Sequence, residues 1–445
     1  MNYNERMQKV AVLGAAGKMG SGILLLNAVE VADLSLLPEN SGKTFVIYAI
    51  DVSEEALTGL LKYVRTQVVK IAEKKINWIR EIYKNRMDLV ENGEMIEEYI
   101  NHVISVIRPS TLIESAYNAN CIFEAIKEDP ELKVTIFKKI NENNPNNPWF
   151  FTNTSSIPIQ YLNEQAQLNG RIIGYHFYNP PAVQKLVELI EAKNTLPEIR
   201  EFSLQLASKL KKIIVESNDV VGFIGNGHFM RDIIHAANEV HKLEKEYGFV
   251  QAVYMINKVS QELLVRPMGI FQLIDYVGID VCSFIMSVMN KHLANENITC
   301  PLLEQMLSIG VKGGQYSDGS QKDGFLKYEK GKITAIFDIH SKQYIPVEQI
   351  QNECDQKLGE KPSHTVAWKT VVAAKNKDEQ LAQMFQELHQ LQSLGANLAK
   401  IYGSKSKEIG KHLVASGVAK CDDDVNKVLM TGFFHAYGPI NNYFN

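Results

Sequence analysis

Two polar segments and one carboxylate in an apolar run carry the residue types that acid/base chemistry needs. Ser155 follows the apolar stretch WFFT, and His176 ends the stretch IIGYH. Glu188 lies inside the apolar run LVELI. Burying a carboxylate there is costly unless a partner offsets its charge, and a histidine on a neighbouring strand would be such a partner. A neutral histidine beside a carboxylate could remove the proton of a substrate hydroxyl group.

A glycine-rich turn near the N-terminus has the features of a dinucleotide site. Gly14, Gly17 and Gly20 in LGAAGKMG lie between a predicted strand and a predicted helix, and the same turn contains Lys18 and Met19. Small residues at such a turn let the backbone approach a pyrophosphate at the helix N-terminus. The spacing is GxxGxxG, one residue longer than the usual GxGxxG, and it predicts a dinucleotide cofactor.

An acidic residue at the end of the second predicted strand indicates which dinucleotide binds. Asp51 follows the strand Phe45 to Ile50. A carboxylate at this position accepts hydrogen bonds from the ribose hydroxyls and repels a 2'-phosphate, so NAD is favoured over NADP. A simpler reading is that Asp51 caps the helix that starts after it.

The pattern of apolar residues predicts two kinds of domain. Residues 1–218 alternate seven short apolar strands with helical segments, and a helical hairpin over 54–107 interrupts them. Residues 219–330 show helical spacing, with an irregular loop rich in Gly, Ser, Lys and Asp from 313 to 331. Helices return from about Val347 within a predicted helical extension over 331–445. The predicted fold class is therefore an α/β Rossmann N-terminal domain with an inserted helical hairpin, followed by all-α C-terminal domains.

The C-terminal extension contains a weak internal repeat. The segment from Gly248 to Lys258 matches the segment from Gly417 to Lys427, and Gly269 and Gly438 follow their copies at the same distance. This register predicts that residues 331–445 form a truncated second copy of the helical domain. The alternative is chance similarity between two helical segments.

Composition excludes several classes of protein. The chain of 445 residues is 45% hydrophobic and 22% charged with a formal net charge of −4, which does not suit nucleic-acid binding. Its five cysteines form no CxxC pair, so we predict neither a metal site nor a disulfide framework. No apolar run approaches the length of a membrane span or a secretion signal, and we expect a cytoplasmic protein with no membrane partner.

Three motifs together resemble the 3-hydroxyacyl-CoA dehydrogenase family over roughly residues 9 to 328. They are the NTSS segment with Ser155, the HFYNP segment with His176, and the KLVE segment with Glu188, and RPMGIFQLIDYVG resembles a further stretch of the family. The resemblance implies that His176 and Glu188 are the catalytic pair and that Ser155 assists them. It also implies that Asn226, in GFIGN, orients the substrate.

The same resemblance implies an activity and further binding residues. The activity is NAD-dependent oxidation of L-3-hydroxyacyl-CoA to 3-ketoacyl-CoA in fatty acid metabolism. Cofactor contacts carry over to Glu128, Lys133 and Asn179, and Lys74 on the hairpin matches a lysine that binds the CoA phosphates. Gln67 replaces a serine of the family on the same hairpin.

The chain departs from the family at several positions. Val221 replaces a proline and Gly227 replaces an arginine. Ser320 stands where the family has a cofactor-binding lysine, and Lys322 could substitute for that lysine only if the loop shifts. The extension after about residue 331 resembles the second helical domain of fused family members. It implies either a homodimer or an intramolecular pseudo-dimer through the helical domains, the latter being a monomer in solution.

Two other functions fit part of this pattern. A gulonate-type sugar-acid dehydrogenase shares the HxxNPP and LVEL elements, and Pro181 favours it. The NTSS and HFYNP forms and Lys185 before LVE favour the acyl-CoA enzymes instead. The second alternative is a non-catalytic NAD-binding protein. The presence of all four candidate catalytic residues argues against it.

Overall fold

The chain folds into two compact units, which we describe separately. A computed structural model describes residues 1–293, 295–316 and 319–444. Unit 1 comprises Met1–Asp219 and unit 2 comprises Val220–Asn445. The predicted domain boundary near residue 218 lies next to this division.

An eight-stranded sheet forms the centre of unit 1, and every strand predicted in this region is present. Its strands are β1 (Lys9–Leu13), β2 (Val46–Ile50), β3 (Ile107–Ser110), β4 (Cys121–Glu124), β5 (Trp149–Thr152), β6 (Ile172–Phe177), β7 (Leu186–Glu191) and β8 (Ile213–Ser217). Their order is β3-β2-β1-β4-β5-β6-β7-β8, and neighbours are parallel except for the antiparallel pair β6 and β7. The central strands are buried along nearly their whole length and are mostly apolar, since helices cover both faces of such a sheet. The Rossmann-type arrangement is confirmed.

Eight helices accompany this sheet. They are α1 (Tyr3–Arg6), α2 (Gly20–Ser35), α3 (Glu54–Lys74), α4 (Ile76–Ile82), α5 (Asn92–Ser105), α6 (Pro130–Asn143), α7 (Ile159–Gln165) and α8 (Pro197–Lys209). Helices α3 to α5 form the predicted insertion, but the prediction that it extends to residue 107 is wrong. Ile107 begins β3, which pairs with β2 at the edge of the sheet. An edge strand tolerates Pro109 because one of its sides makes no ladder of hydrogen bonds.

Unit 2 is largely helical around one continuous hydrophobic core. Its helices are α9 (Phe223–Tyr247), α10 (Phe249–Lys258), α11 (Ile270–Val277), α12 (Ile279–His292), α13 (Pro301–Ser308), α14 (Val347–Leu358), α15 (Trp368–Val371), α16 (Lys377–Gln390), α17 (Leu394–Ala415) and α18 (Asp422–Gly432), with a π-helical turn at Val259–Leu263. In the described part of the chain, no single helix is both long and apolar enough to cross a membrane, although the sharply bent pair α11 and α12 passes that test together.

A small antiparallel sheet in unit 2 was not predicted. Its strands are β9 (Leu326–Glu329), β10 (Lys332–Asp338) and β11 (Gln343–Pro346), in the order β11-β10-β9. These strands replace part of the predicted loop and the first part of the predicted helical extension, whereas the helix predicted from about Val347 is present as α14. Buried Asp275 fixes the start of the sheet, since its carboxylate accepts hydrogen bonds from the amides of Phe325 and Leu326 at 2.7 and 2.9 Å. This anchor is remote in sequence and leaves no local signal.

The two segments of the internal repeat share one unusual local geometry. The Oδ1 atom of Asn257, in α10, accepts a hydrogen bond from the amide of Phe271 at 3.1 Å. At the matching position of α18, Asn426 Oδ1 accepts one from the amide of Ile440 at 2.9 Å. In each copy a glycine, Gly269 or Gly438, lies two residues before the donor amide, where no side chain fits. A Cβ atom would lie 2.3 Å from Asn257 Oδ1 in one copy and 2.2 Å from Asn426 Oδ1 in the other.

Candidate active site

The antiparallel pairing of β6 and β7 places His176 directly opposite Glu188. Side chains of directly opposed residues point to the same face of a sheet. The Nδ1 atom of His176 lies 3.0 Å from Oε2 of Glu188. The Glu188 side chain is fully buried, and that of His176 is 11% exposed. The structure therefore joins the two residues that the sequence analysis proposed as a pair.

The segment that contains Ser155 lies at the same edge of the sheet. Strands β5 and β6 are parallel, with Thr152 opposite Gly174, so both chains leave the sheet side by side. Asn153 links them, since its Oδ1 accepts a hydrogen bond from the amide of Phe177 at 2.8 Å. Carboxyl ends of parallel strands are where open α/β sheets bind ligands. The segment with Ser155 and the end of β6 with His176 thus lie at the edge where a substrate is expected.

Glu128 organises the turn that carries Ser155. Its Oε1 accepts hydrogen bonds from the Thr154 hydroxyl, the Ser155 amide and the Ser156 hydroxyl at 2.5, 3.0 and 3.0 Å. Burial alone would raise the pKa of Glu128, but the Lys133 ammonium and these donors outweigh it and lower that pKa. Glu128 therefore stays ionised beside Ser155.

Lys133 stabilises this turn through its ionic contact with Glu128. Its side chain is 1% exposed, and its Nζ lies 2.6 Å from Glu124 Oε1 and 3.1 Å from Glu128 Oε2. Burial would lower the pKa of Lys133, yet the two glutamates raise it. Both ionic contacts of Lys133 are thus made inside unit 1. The cofactor contacts predicted for Glu128 and Lys133 stay predictions. Lys133 here holds Glu128 in place.

The turn between β1 and α2 has no room for a side chain at Gly14 or at Gly20. Gly14 has a φ of +70°, and a Cβ atom there would lie 2.5 Å from the Ala125 carbonyl oxygen. A Cβ atom on Gly20 would lie 1.9 Å from the Gly14 carbonyl oxygen, whereas one on Gly17 would lie 3.3 Å away from it. Asp51 closes the turn, because its Oδ2 accepts a hydrogen bond from the Ala16 amide at 2.9 Å. This bare turn at the start of α2, with a carboxylate beside it, fits the pyrophosphate and ribose of NAD.

We predict that Gly20→Ala weakens cofactor binding. The added methyl group must displace the Gly14 backbone, and overpacking of this kind costs about 1–3 kcal/mol. Because the strain falls on the conformation that binds the cofactor, KM for NAD should rise by roughly 5- to 150-fold. Steady-state kinetics with varied NAD would measure this. Gly59→Ala is the matched control, since a Cβ atom on that helical glycine meets nothing within 4 Å. An unchanged KM in Gly20→Ala would contradict the proposed role of the turn.

The remaining predicted site residues lie in both units. Lys18 and Met19 belong to the glycine turn, with Lys18 exposed, and Lys74 is an exposed residue at the end of α3. Asn179 follows β6 and is partly buried. In unit 2, Asn226 lies in the first turn of α9. The roles predicted for these residues stay predictions.

The loop that carries Ser320 and Lys322 is held within unit 2. The Ser320 carbonyl accepts a hydrogen bond from the Tyr316 amide at 2.8 Å. The Lys322 ammonium lies 5.2 Å from the centre of the Tyr316 ring, in the range of a cation–π contact. Within the described residues, no group of three His, Cys, Asp or Glu side chains could hold a metal ion.

Two contributors to the site were missed at the level of sequence. Tyr178 donates a hydrogen bond to Glu188 Oε2 at 2.9 Å. Glu124, at the end of β4, accepts hydrogen bonds from the Thr152 hydroxyl and the Ile126 amide at 2.6 and 2.8 Å. A carboxylate that ends an apolar strand is the signal that could have identified Glu124. Tyr178 gives no such signal, because an aromatic residue after a strand is usually a packing residue.

Comparison with known proteins places this architecture in one family. Residues 9–220 match the 3-hydroxyacyl-CoA dehydrogenase NAD binding domain, and residues 222–328 match the C-terminal domain of the same family. A probable 3-hydroxybutyryl-CoA dehydrogenase from Bacillus subtilis (strain 168) is 31% identical over 323 residues, which cover 72% of this chain and 98% of that protein. The mitochondrial hydroxyacyl-coenzyme A dehydrogenase of Sus scrofa is 27% identical, over 73% of this chain and 92% of that protein.

A solved structure shares the fold over nearly the whole chain. The crystal structure of 3-hydroxybutyryl-CoA dehydrogenase from Escherichia coli K12 superposes with a TM-score of 0.63 and 20% identity, covering 98% of this chain and 90% of that one. The similarity thus includes the extension after residue 331, which the family domains do not cover. The chain belongs to the 3-hydroxyacyl-CoA dehydrogenase family of NAD-dependent oxidoreductases.

Proposed function

We propose that this protein oxidises L-3-hydroxyacyl-CoA to 3-ketoacyl-CoA in fatty acid metabolism, with His176 as the base and Glu188 as its partner. The contact of 3.0 Å between His176 Nδ1 and a fully buried Glu188 is the observation that carries the proposal. A buried carboxylate beside a histidine at the ligand-binding edge of a sheet is an arrangement that suits acid/base catalysis.

The chemistry follows from which ring nitrogen is engaged. A carboxylate only accepts hydrogen bonds, so Nδ1 carries the proton and the lone pair of the neutral ring lies on Nε2. His176 Nε2 takes the proton of the 3-hydroxyl group, and Glu188 stabilises the imidazolium that forms. When bound, NAD supplies the acceptor for the hydride that leaves C3 with its electron pair. Ser155 and Asn226 are proposed to hydrogen-bond the reacting oxygen atoms.

The inserted helices are proposed to bind the CoA part of the substrate. Lys74 and Lys70 lie about one turn apart on α3, and both are exposed. Gln67 lies one turn before Lys70 and is partly exposed. Two ammonium groups on one helix face suit the phosphates of CoA. A sugar-acid substrate carries no phosphate, so the sugar-acid alternative does not explain two lysines on one helix face.

A side-by-side assay distinguishes the candidate functions. We expect NADH to be consumed rapidly with acetoacetyl-CoA and with longer 3-ketoacyl-CoAs, and no NADH to form with gulonate and NAD. Lys74→Ala should raise KM for acetoacetyl-CoA several-fold without changing KM for NADH, since each lost phosphate contact is worth roughly 1 kcal/mol. Lys62→Ala, on an exposed position of the same helix, is the control. Turnover of gulonate alone would exclude the acyl-CoA proposal.

We propose that the extension after residue 331 is a second helical copy that replaces a dimer partner. The matching hydrogen bonds of Asn257 and Asn426 and the shared core of unit 2 support this. The expected state is a monomer of about the formula mass of 50.2 kDa, measured by light scattering at micromolar concentration. A homodimer is the alternative, and a doubled mass would establish it. We also propose a cytoplasmic location, where five free thiols persist.

A further inference from the structure

Glu188 receives hydrogen bonds from two side chains at one oxygen atom. The Tyr178 hydroxyl donates to Oε2 at 2.9 Å, and the same Oε2 lies 3.0 Å from His176 Nδ1. The rings of Tyr178 and His176 are tilted neighbours, with centroids 5.0 Å apart. His176, Glu188 and Tyr178 therefore form one cluster of three side chains.

Strand geometry explains why Tyr178 reaches this carboxylate. Side chains two residues apart on a strand point to the same face, so Tyr178 follows His176 on the face of Glu188. It stands just after the end of β6, diagonal to Glu188 across the antiparallel pair. Diagonal neighbours are about 7–8 Å apart, a gap that a tyrosine side chain can span. Within the sheet, the residue opposite Glu188 on β8 is Val215, which is apolar.

A second donor changes what the carboxylate does for the histidine. Tyr178 stays protonated at ordinary pH, because burial and the negative charge of Glu188 raise the pKa of its hydroxyl. Its hydrogen bond draws charge from the oxygen atom that faces His176. The carboxylate then stabilises the imidazolium less, and the neutral imidazole that can accept a proton is favoured. The bond also holds the carboxylate in one rotamer.

We propose that Tyr178 is a positioning residue that sets how readily His176 accepts the substrate proton, acting through Glu188. The proposal rests on the acid/base role proposed above for His176 and Glu188. It assigns Tyr178 no contact with substrate or cofactor. Its effect is confined to the charge and orientation of one carboxylate oxygen.

A purely structural tyrosine would predict a different outcome. Tyr175, on the same strand, also buries its ring, and its hydroxyl donates to the Ser203 carbonyl at 3.4 Å. It points to the opposite face of the sheet from His176. Loss of the Tyr175 hydroxyl can change stability, but it cannot alter the charge on Glu188. Tyr175→Phe is therefore the matched control.

The test is the pH profile of kcat/KM for oxidation of L-3-hydroxybutyryl-CoA by the full-length enzyme. In Tyr178→Phe the acid limb should move to higher pH by roughly 0.5–1.5 units, since more negative charge then faces the imidazolium. KM for NAD should stay within about twofold, and Tyr175→Phe should keep the wild-type profile. Incorporating 3-fluorotyrosine at position 178, a stronger donor of similar size, should move the limb in the opposite direction.

The possible failures are distinguishable. If His176→Gln keeps wild-type activity, the proposed acid/base pair itself is wrong. If His176→Gln loses activity but Tyr178→Phe and the fluorotyrosine protein keep the wild-type pH profile, only the role of Tyr178 is wrong. A loss confined to KM, or the same shift in Tyr175→Phe, would also overturn it. Should Tyr178→Phe not fold, the fluorotyrosine protein alone decides between these results.

Discussion

His176→Gln is expected to lower kcat for L-3-hydroxyacyl-CoA oxidation by about a thousandfold. A positioned general base contributes roughly 10²- to 10⁴-fold, and glutamine cannot accept the substrate proton. The fold should persist, because the glutamine amide can still donate a hydrogen bond to the buried carboxylate of Glu188. Initial rates of NADH formation at saturating NAD would measure the loss. KM for NAD should change little, because the glycine turn is untouched.

Glu188→Gln separates the role of the partner from that of the base. An amide group at this position can donate to Nδ1, which places the ring proton on Nε2, where it blocks acceptance of the substrate proton. A wrong tautomer of this kind costs about 10⁴-fold in a hydrolase triad, and a loss of similar order is expected here. Activity of either variant within tenfold of the wild type would refute the acid/base pair. It would then favour the non-catalytic reading of the chain.

Lys133→Met is expected to reduce the free energy of unfolding by about 3–5 kcal/mol, the usual cost of breaking a buried ion pair on one side. Lys133 and Glu124 are 1% and 0% exposed, so the carboxylate left behind has no access to water. The Thr152 hydroxyl and the Ile126 amide remain as hydrogen-bond donors to this carboxylate, and neither carries a positive charge. Denaturant unfolding, followed by circular dichroism, would give the loss.

Two controls show whether the effect belongs to the buried pair. Lys139→Met removes an ammonium group on the same helix, α6, whose contact with Glu114 is exposed, and it should leave stability within experimental error. The double variant Glu124→Gln with Lys133→Met should recover part of the loss, since no isolated charge stays buried. Strict additivity of the two single losses would contradict this account.

Lys133→Met should also affect the cofactor, although the ammonium itself is buried. Glu128 loses its ionic partner, and the turn with Thr154 and Ser155 depends on that carboxylate. We therefore expect KM for NAD to rise in the folded variant, an effect that a loss of folding stability alone would not produce. A destabilised protein with unchanged KM for NAD would limit Lys133 to a structural role.

Local patterns in the sequence determined much of unit 1. Short apolar runs predicted seven of the eight strands of the sheet, because a strand covered on both faces is apolar along its length. The missed strand, β3, contains Pro109 and lies at the edge, where the apolar pattern weakens. The glycine turn was predictable for a similar reason, since a tight turn from strand to helix restricts residue types locally.

Only the tertiary structure decided which side chains meet. The sequence paired His176 with Glu188 as residues of one site, but strand register put both on one face and added Tyr178 to the same oxygen. Packing of α6 on the sheet buried Lys133 against Glu124, although a lysine near a helix start is usually solvated. A contact depends on register and helix packing, which many distant residues set together. Residue types and spacing therefore predict the chemistry of this site, and the fold decides its partners.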